Sequence, residues 1–260
     1  MRPTLRPIPL LSLLPSLLLG LLLPMAARAA TYRVGPGQPL AAIGDVPWES
    51  LAPGDLVLIH HRAQPYREKW VLARQGTAQA PIVVRGVPGP AGELPVVDAS
   101  GATTRAALDY WGEERGLLKI GGSNRPPDTR PAWIVVENLE LVGARQPRTF
   151  TGRNGQGSYA MNAASVYIEK GDHVTLRNLV LRDSGNGLFI ASSTTDVLVE
   201  GCHIAGNGNV GSVYEHNAYT SAAGITYQYN HFGPPCAGCS GNNLKDRSAA
   251  TVVRLSLIHI

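Results

Sequence analysis

The chain has 260 residues, with 29 Gly, 20 Pro, 3 Phe and 3 Met, and only 16% of it is charged. That composition favours a turn-rich β architecture over a helical bundle. The formal net charge of +4 owes much to Arg2, Arg6 and Arg28, and no Lys/Arg cluster interleaved with aromatics is present, which argues against nucleic-acid binding.

Residues 1–29 read as a secretory signal peptide. Arg2 and Arg6 give a positive start, Leu10 to Leu23 is almost wholly apolar, and Ala27-Arg28-Ala29 is a small-x-small cleavage site. Pro9, Pro15 and Pro24 bound and interrupt the apolar run, leaving it short of the roughly 20 residues a membrane span needs. The mature protein is therefore expected to be secreted or periplasmic, with no integral membrane association after cleavage. Losing the three arginines lowers its net charge to +1.

Thr31 to Ile59 is a lead-in. An amphipathic helical turn near 39–52 is expected to cap the open end of the strand-rich region, and the Pro53-Gly-Asp turn starts a strand at Leu56-Val-Leu-Ile. Pro81-Ile-Val-Val-Arg-Gly, Pro95-Val-Val-Asp and Leu117-Leu-Lys-Ile read as further strands bounded by breakers. Ile134 to Leu141 is the next, followed by a long polar loop over 144–163.

Residues 174–201 then show the organising unit. Three short apolar runs, 174–181, 188–190 and 197–199, are punctuated by Gly, Asn, Ser and Thr. Placing Asn178 over Asn138, Gly201 and Asn230 aligns segments starting at Ile134, Val174, Val197 and Thr226, spaced by 40, 23 and 29 residues. A repeat of roughly 20–30 residues built from short strands marks a solenoid. Before each marked strand comes another: Ser165-Val-Tyr-Ile, Gly187-Leu-Phe-Ile, Asn217-Ala-Tyr-Thr and Asn243-Leu-Lys-Asp.

With those residues in view, the chain resembles the right-handed parallel β-helix superfamily, to which the pectate-lyase-like polysaccharide lyases belong. The resemblance rests on Pro53-Gly-Asp-Leu-Val-Leu-Ile, Pro81-Ile-Val-Val-Arg-Gly, Val96-Val-Asp-Ala-Ser-Gly and the Asn-marked coils, and it covers most of residues 31–254. It implies an all-β, single-stranded parallel β-helix over residues 30–254, similar to exported bacterial polysaccharide-degrading proteins such as alginate lyases and chondroitinase B. Leu255-Ser-Leu-Ile-His-Ile is expected to break the register, with Ser256 where Asn would stand. Residues 255–260 are thus read as a non-native tail, and the chain as a fragment truncated at its C-terminus.

Side chains alternate in and out along a strand. With Val166, Ile168, Leu188, Ile190, Ala218 and Leu244 inward, Tyr167, Phe189, Tyr219 and Lys245 stack outward, flanked by Asn217 and Asn243 and followed by Arg247. Uncompensated burial of Lys and Arg is costly, which supports this facing. The candidate catalytic residues are Lys245, Arg247, Tyr219 and His216; the candidate substrate-binding residues are Asn217, Asn243, Tyr167 and Phe189. In the lyases this chain resembles, a Lys and an Arg on the helix surface act as base and acid. That resemblance implies Lys245 as base and Arg247 as partner, although the family's pair stands on neighbouring coils.

The polymer partner is then an acidic, uronate-containing polysaccharide cleaved by β-elimination. A glycoside hydrolase or a non-catalytic carbohydrate-binding or envelope β-helix protein stands as the alternative. No cofactor is evident; Ca²⁺ enters only through the resemblance, because Glu200, Glu215, Asp183 and Asp196 form no dense acidic cluster in the sequence. Metal ligands and oligomeric state stay open. Cys236-Ala-Gly-Cys239 fits a small loop disulfide, a metal knuckle or a redox pair, and Cys202 a small buried hydrophobe.

Overall fold

The computed structural model describes residues 29–128 and 130–259. The signal peptide expected over 1–29 lies outside the described residues except for Ala29. No helix among the described residues is long and apolar enough to cross a membrane.

The chain winds as a parallel β-helix, its strands stacking into three columns. The first column holds Thr31–Val34, Leu56–His60, Ile82–Val87, Ala132–Glu137, the later halves of Ala164–Arg177 and Asn186–Glu200, Ala223–Gln228 and Ala249–Arg254. The second holds Val96–Asp98, Glu140–Val142, Val180–Arg182, His203–Ile204, His231–Phe232 and Leu257–Ile258. The third holds Glu68–Leu72, Gly116–Ile120, the early halves of the two long strands, Ala218–Thr220 and Leu244–Asp246. Parallel strands joined by crossovers wind right-handed.

Register explains the core. In the first column Ile82, Ile134, Val174, Val197 and Ile225 pair in sequence and are all buried. In the second, Val97, Leu141, Leu181, Ile204 and Phe232 do the same. In the third, Trp70, Leu118, Val166, Leu188 and Ala218 line up inward. Each fully buried Val, Leu or Ile contributes about 1.5–3 kcal/mol relative to exposure. Any one-residue slip would turn these rows outward, so the rows fix the winding.

Corners between the first and second columns use left-handed backbone. Asn138, Asn178, Gly201 and Tyr229 have φ of 58°, 49°, 63° and 57°. Asn and Gly tolerate that conformation, which is why they mark the turns. The fourth marker is corrected by one residue. Val197 pairs with Ile225, not Thr226, so the corner falls on Tyr229 and Asn230 sits just past it. Asn230 is buried, accepting from the Cys202 N–H and donating to the Val199 carbonyl. Cys202 is buried beside it, and burial pushes its thiol up to about 12.

Three further expectations change. The cap over 39–52 forms as two 3₁₀ turns, Ile43–Asp45 and Trp48–Ser50, with the Trp48 ring stacked 5.2 Å from Trp70 over the first coils. The 144–163 loop contains an antiparallel hairpin, Thr149–Gly152 with Gly155–Ser158, that docks on Ala102–Thr104. The expected loss of register at 255 does not occur. Leu257–Ile258 pair in parallel with His231–Phe232, and Ser256 Oγ accepts from the Asn230 N–H.

Candidate active site

The third column carries the site on its outer face. One pleat from the inward row, Val71, Lys119, Tyr167, Phe189, Tyr219 and Lys245 pair successively. Neighbouring strands lie about 4.8 Å apart, so these side chains form a continuous ladder. Tyr167 and Phe189 stack with centroids 4.7 Å apart and planes 3° off parallel, and Tyr219 meets Phe189 edge-on at 5.2 Å.

The ladder opens to solvent at its C-terminal end, in a cleft of about 450 Å³. Met161, Asn162, Asn186, Phe189, Tyr214, Glu215, Tyr219, Lys245 and Arg247 line it. Lys245 Nζ and Arg247 Cζ each stand 5.5 Å from the Tyr219 ring centroid. Among the described residues neither cation takes part in an ion pair. The intervening Asp246 turns away: its carboxylate accepts from Thr220 Oγ1, Thr251 Oγ1 and the Ser248 N–H, which hold its pKa below the ordinary value despite partial burial. The sequence run Lys245-Asp246-Arg247 is thus split by the pleat, two cations out and one acid engaged.

His216 lies fully buried with its ring edge-on to Tyr219 at 5.5 Å. Burial, with the positive charges of Lys245 and Arg247, lowers its pKa to about 4. The ring is therefore neutral near pH 7. Its Nδ1 accepts from the Asn242 N–H at 2.9 Å, so its single proton resides on Nε2. His216 is a hydrogen-bond donor at neutral pH and has no free lone pair to serve as base.

Two of the expected substrate-binding residues face the other way. Asn217 is fully buried, donating to the Gly233 carbonyl and to Asn243 Oδ1 and accepting from Asn207 Nδ2. Asn243 is the next rung and donates onward to the His259 carbonyl. This Asn207–Asn217–Asn243 ladder runs inside the corner rather than over the outer face. Both residues precede their strands, where in-out alternation has not begun. Gly187 occupies the equivalent position one coil earlier, and a Cβ there would come within 2.6 Å of Asn207 Nδ2. Tyr167 is on the outer row as expected but only 1% exposed; the Arg115 guanidinium covers it, 4.5 Å from its ring centroid. Phe189 is half-buried and lines the cleft.

Glu215 was not among the candidates. It is 4% exposed and, among the described residues, is the one carboxylate lining the cleft. The sequence places it on the coil of His216 and Tyr219, but its position just before a strand leaves its facing undefined. Elsewhere, Asp172, His173 and Asp196 bring three ligand atoms within 4.8 Å of one another on the first column. The His173 ring stacks on Trp133 at 3.8 Å there, lining a separate groove. Cys236 and Cys239 are disulfide-bonded, and the Cys236 N–H donates to the Asn207 carbonyl behind the cleft.

Stacked parallel coils in three columns, with an aromatic and cationic row on one outer face, define a parallel β-helix. The chain is similar in structure to an alginate lyase from Paenibacillus sp. str. FPU-7, with a TM-score of 0.53 and 15% identity over 78% of this chain. It spans 59% of that enzyme's length. A GH136 lacto-N-biosidase from Eubacterium ramulus matches at 0.48 and 16% identity, covering 78% of this chain and 41% of that one. A pectin methylesterase from Aspergillus niger matches at 0.48 and 12% identity, covering 89% and 77%. No protein-family model and no curated protein matches the sequence.

Proposed function

We propose that this chain is an exported polysaccharide lyase, or the part of one that holds the reacting centre, and that it cleaves an acidic glycan by β-elimination. The observation that carries this reading is the Lys245/Arg247 pair, free of carboxylate partners among the described residues and flanking the Tyr219 ring in an open cleft. Elimination from a uronate removes the C5 proton, breaks the C4–O bond and forms a C4=C5 double bond. The carboxylate on C5 must be neutralised as the carbanion develops. Arg247 suits that task, since its guanidinium matches a carboxylate in two-pronged fashion.

Lys245 is the general base that takes the C5 proton, and the Tyr219 hydroxyl protonates the departing O4. Phe189 offers an apolar edge for a sugar face. His216 supplies a fixed Nε2–H donor rather than a base. Hydrolysis by the two-carboxylate route needs a pair of acids roughly 5–9.5 Å apart, and among the described residues Glu215 is the only acid in the lining of this cleft.

Incubation of the full-length protein with alginate, polygalacturonate and glycosaminoglycans tests the reading. The expected product absorbs in the ultraviolet as an unsaturated uronate, and Lys245→Ala removes that absorbance. New reducing ends without absorbance would mean hydrolysis, and binding without cleavage would mean a carbohydrate-binding protein.

A further inference from the structure

We propose that Glu215 is a hydroxyl-recognition residue that restricts this cleft to unsulfated uronate polymers. The inference rests on the lyase reading above and adds the substrate class. Glu215 Oε2 is buried and has no hydrogen-bond partner, and Glu215 is among the residues that line the same cleft as Lys245 and Arg247. Leaving a buried acceptor unsatisfied costs about 1–3 kcal/mol, more for a charged group. A site that carries such a cost is completed by a ligand that brings the missing donor.

The chemistry of that donor is narrow. Lys245 and Arg247 already supply positive charge for a substrate carboxylate, and neither pairs with Glu215. What remains for Oε2 is a neutral donor, and a sugar offers hydroxyls. A sulfate ester at that position has no hydrogen to give and brings a second negative charge against a carboxylate, and like-charge contact across an interface costs several kcal/mol. A site built around a substrate hydroxyl rejects the analogue lacking it far more strongly than an apolar pocket rejects a size change. Alginate-like and pectate-like polymers pass this filter. Glycans sulfated next to the cleaved bond do not.

The neighbouring backbone holds Glu215 in place. The His216 N–H donates to Asn186 Oδ1 at 2.8 Å, and the Asn186 amide donates to the Asn162 carbonyl at 3.0 Å. Asn162 and Asn186 both line the cleft, so the segment is tied to other residues of the lining.

The test uses the full-length chain with oligogalacturonate and oligomannuronate, each in native and chemically sulfated form. Binding is measured by calorimetry in the Lys245→Ala background, and elimination by ultraviolet absorbance with Lys245 intact. The expected result is binding of the native oligomer at least 10-fold tighter than its sulfated form. Glu215→Gln, which keeps the shape, should weaken native binding 10-fold or more and bring the two forms within about threefold, with melting temperature unchanged. Equal binding of both forms by the parent, or an unchanged ratio in Glu215→Gln, overturns the inference even if unsaturated products appear. If no polymer is eliminated but the ratio and its loss are seen, the substrate filter stands and the lyase reading falls.

Discussion

The outer row of the third column contains two lysines, and the protein treats them in opposite ways. Lys119 is fully buried at the N-terminal end. Its Nζ donates to the Trp111 carbonyl and lies 3.5 Å from Glu169 Oε2, under a lid made by residues 108–116. Lys245 occupies the same row three coils beyond Tyr167, half-exposed and without an acid partner among the described residues. The strands beneath them are equivalent, so position on the β-helix decides nothing by itself. What differs is the insertion above: residues 101–115 and the 149–158 hairpin roof the early coils and stop at Phe189, where Arg115 makes its last contact at 5.6 Å. One scaffold thus makes a sealed cation and one open to the cleft.

Exchanging the two lysines for neutral residues is the strongest way to break that comparison. Lys245→Ala is expected to lower elimination by about 10²–10⁴-fold, the usual range for a positioned base, with little change in melting temperature. Lys119→Met is expected to do the reverse. It leaves the Trp111 carbonyl and the partly exposed Glu169 unpaired, a loss of about 1–3 kcal/mol, with the rate of chemistry held within about threefold. If Lys119→Met abolished activity while the fold melted normally, the division into structural and reactive ends would be wrong.

Lys69 gives the second test, through pH. It is 1% exposed, donates to the Glu113 carbonyl and lies 3.5 Å from the Phe150 ring centroid, beneath the same roof. Burial lowers its pKa from 10.5 to about 7, opposed in part by Glu113 and Glu114. Between those two values the unfolded chain holds a proton that the folded chain has released. Stability from this group is therefore complete above 10.5, declines as pH falls, and is gone below about 7. Denaturant unfolding at several pH values from 7 to 10 should show stability rising with pH in the parent, by at most about 4–5 kcal/mol. Lys69→Met should lack that rise; an identical slope in both proteins would show that Lys69 keeps its charge.

The sequence reads well where periodicity acts and poorly where it does not. Val166, Ile168, Leu188 and Ile190 alternate with Tyr167 and Phe189, so the facing of the row follows from the pleat alone. The misplacement at Asn230 has a definite cause: Tyr229 takes a left-handed φ of 57° that is uncommon for an aromatic residue, so the corner carries no Asn or Gly to mark it. Asn217, Asn243 and Glu215 lie just before strands, where the chain is still turning and parity says nothing about facing. The hairpin at 149–158 is rich in Gly and Thr, and only Asn154-Gly155 hints at its turn. Least legible is the roof, because Arg115 meets Tyr167 across 52 residues of sequence. That contact moves the open cleft to the coils carrying Lys245.

Arg115 offers the finest test of the comparison. Its guanidinium covers Tyr167 at 4.5 Å and reaches Phe189 at 5.6 Å, so it marks the edge between the sealed and open parts of one aromatic ladder. A cation over an aromatic face contributes about 0.5–2 kcal/mol, depending on desolvation, so Arg115→Ala should lower stability by about 1 kcal/mol. For a domain of this size that is roughly 2–4 °C in melting temperature. The informative readout is chemical. Tyr167 is 1% exposed, whereas Tyr214 on the cleft rim is 75% exposed. Brief nitration followed by peptide mass mapping should modify Tyr214 and spare Tyr167 in the parent. Arg115→Ala should make Tyr167 reactive, because removing the guanidinium bares the ring's outer face while its stack on Phe189 persists. Nitration of Tyr167 in the parent at the rate of Tyr214 would mean that the roof does not seal the row, and the distinction between the two lysines would then lose its structural cause.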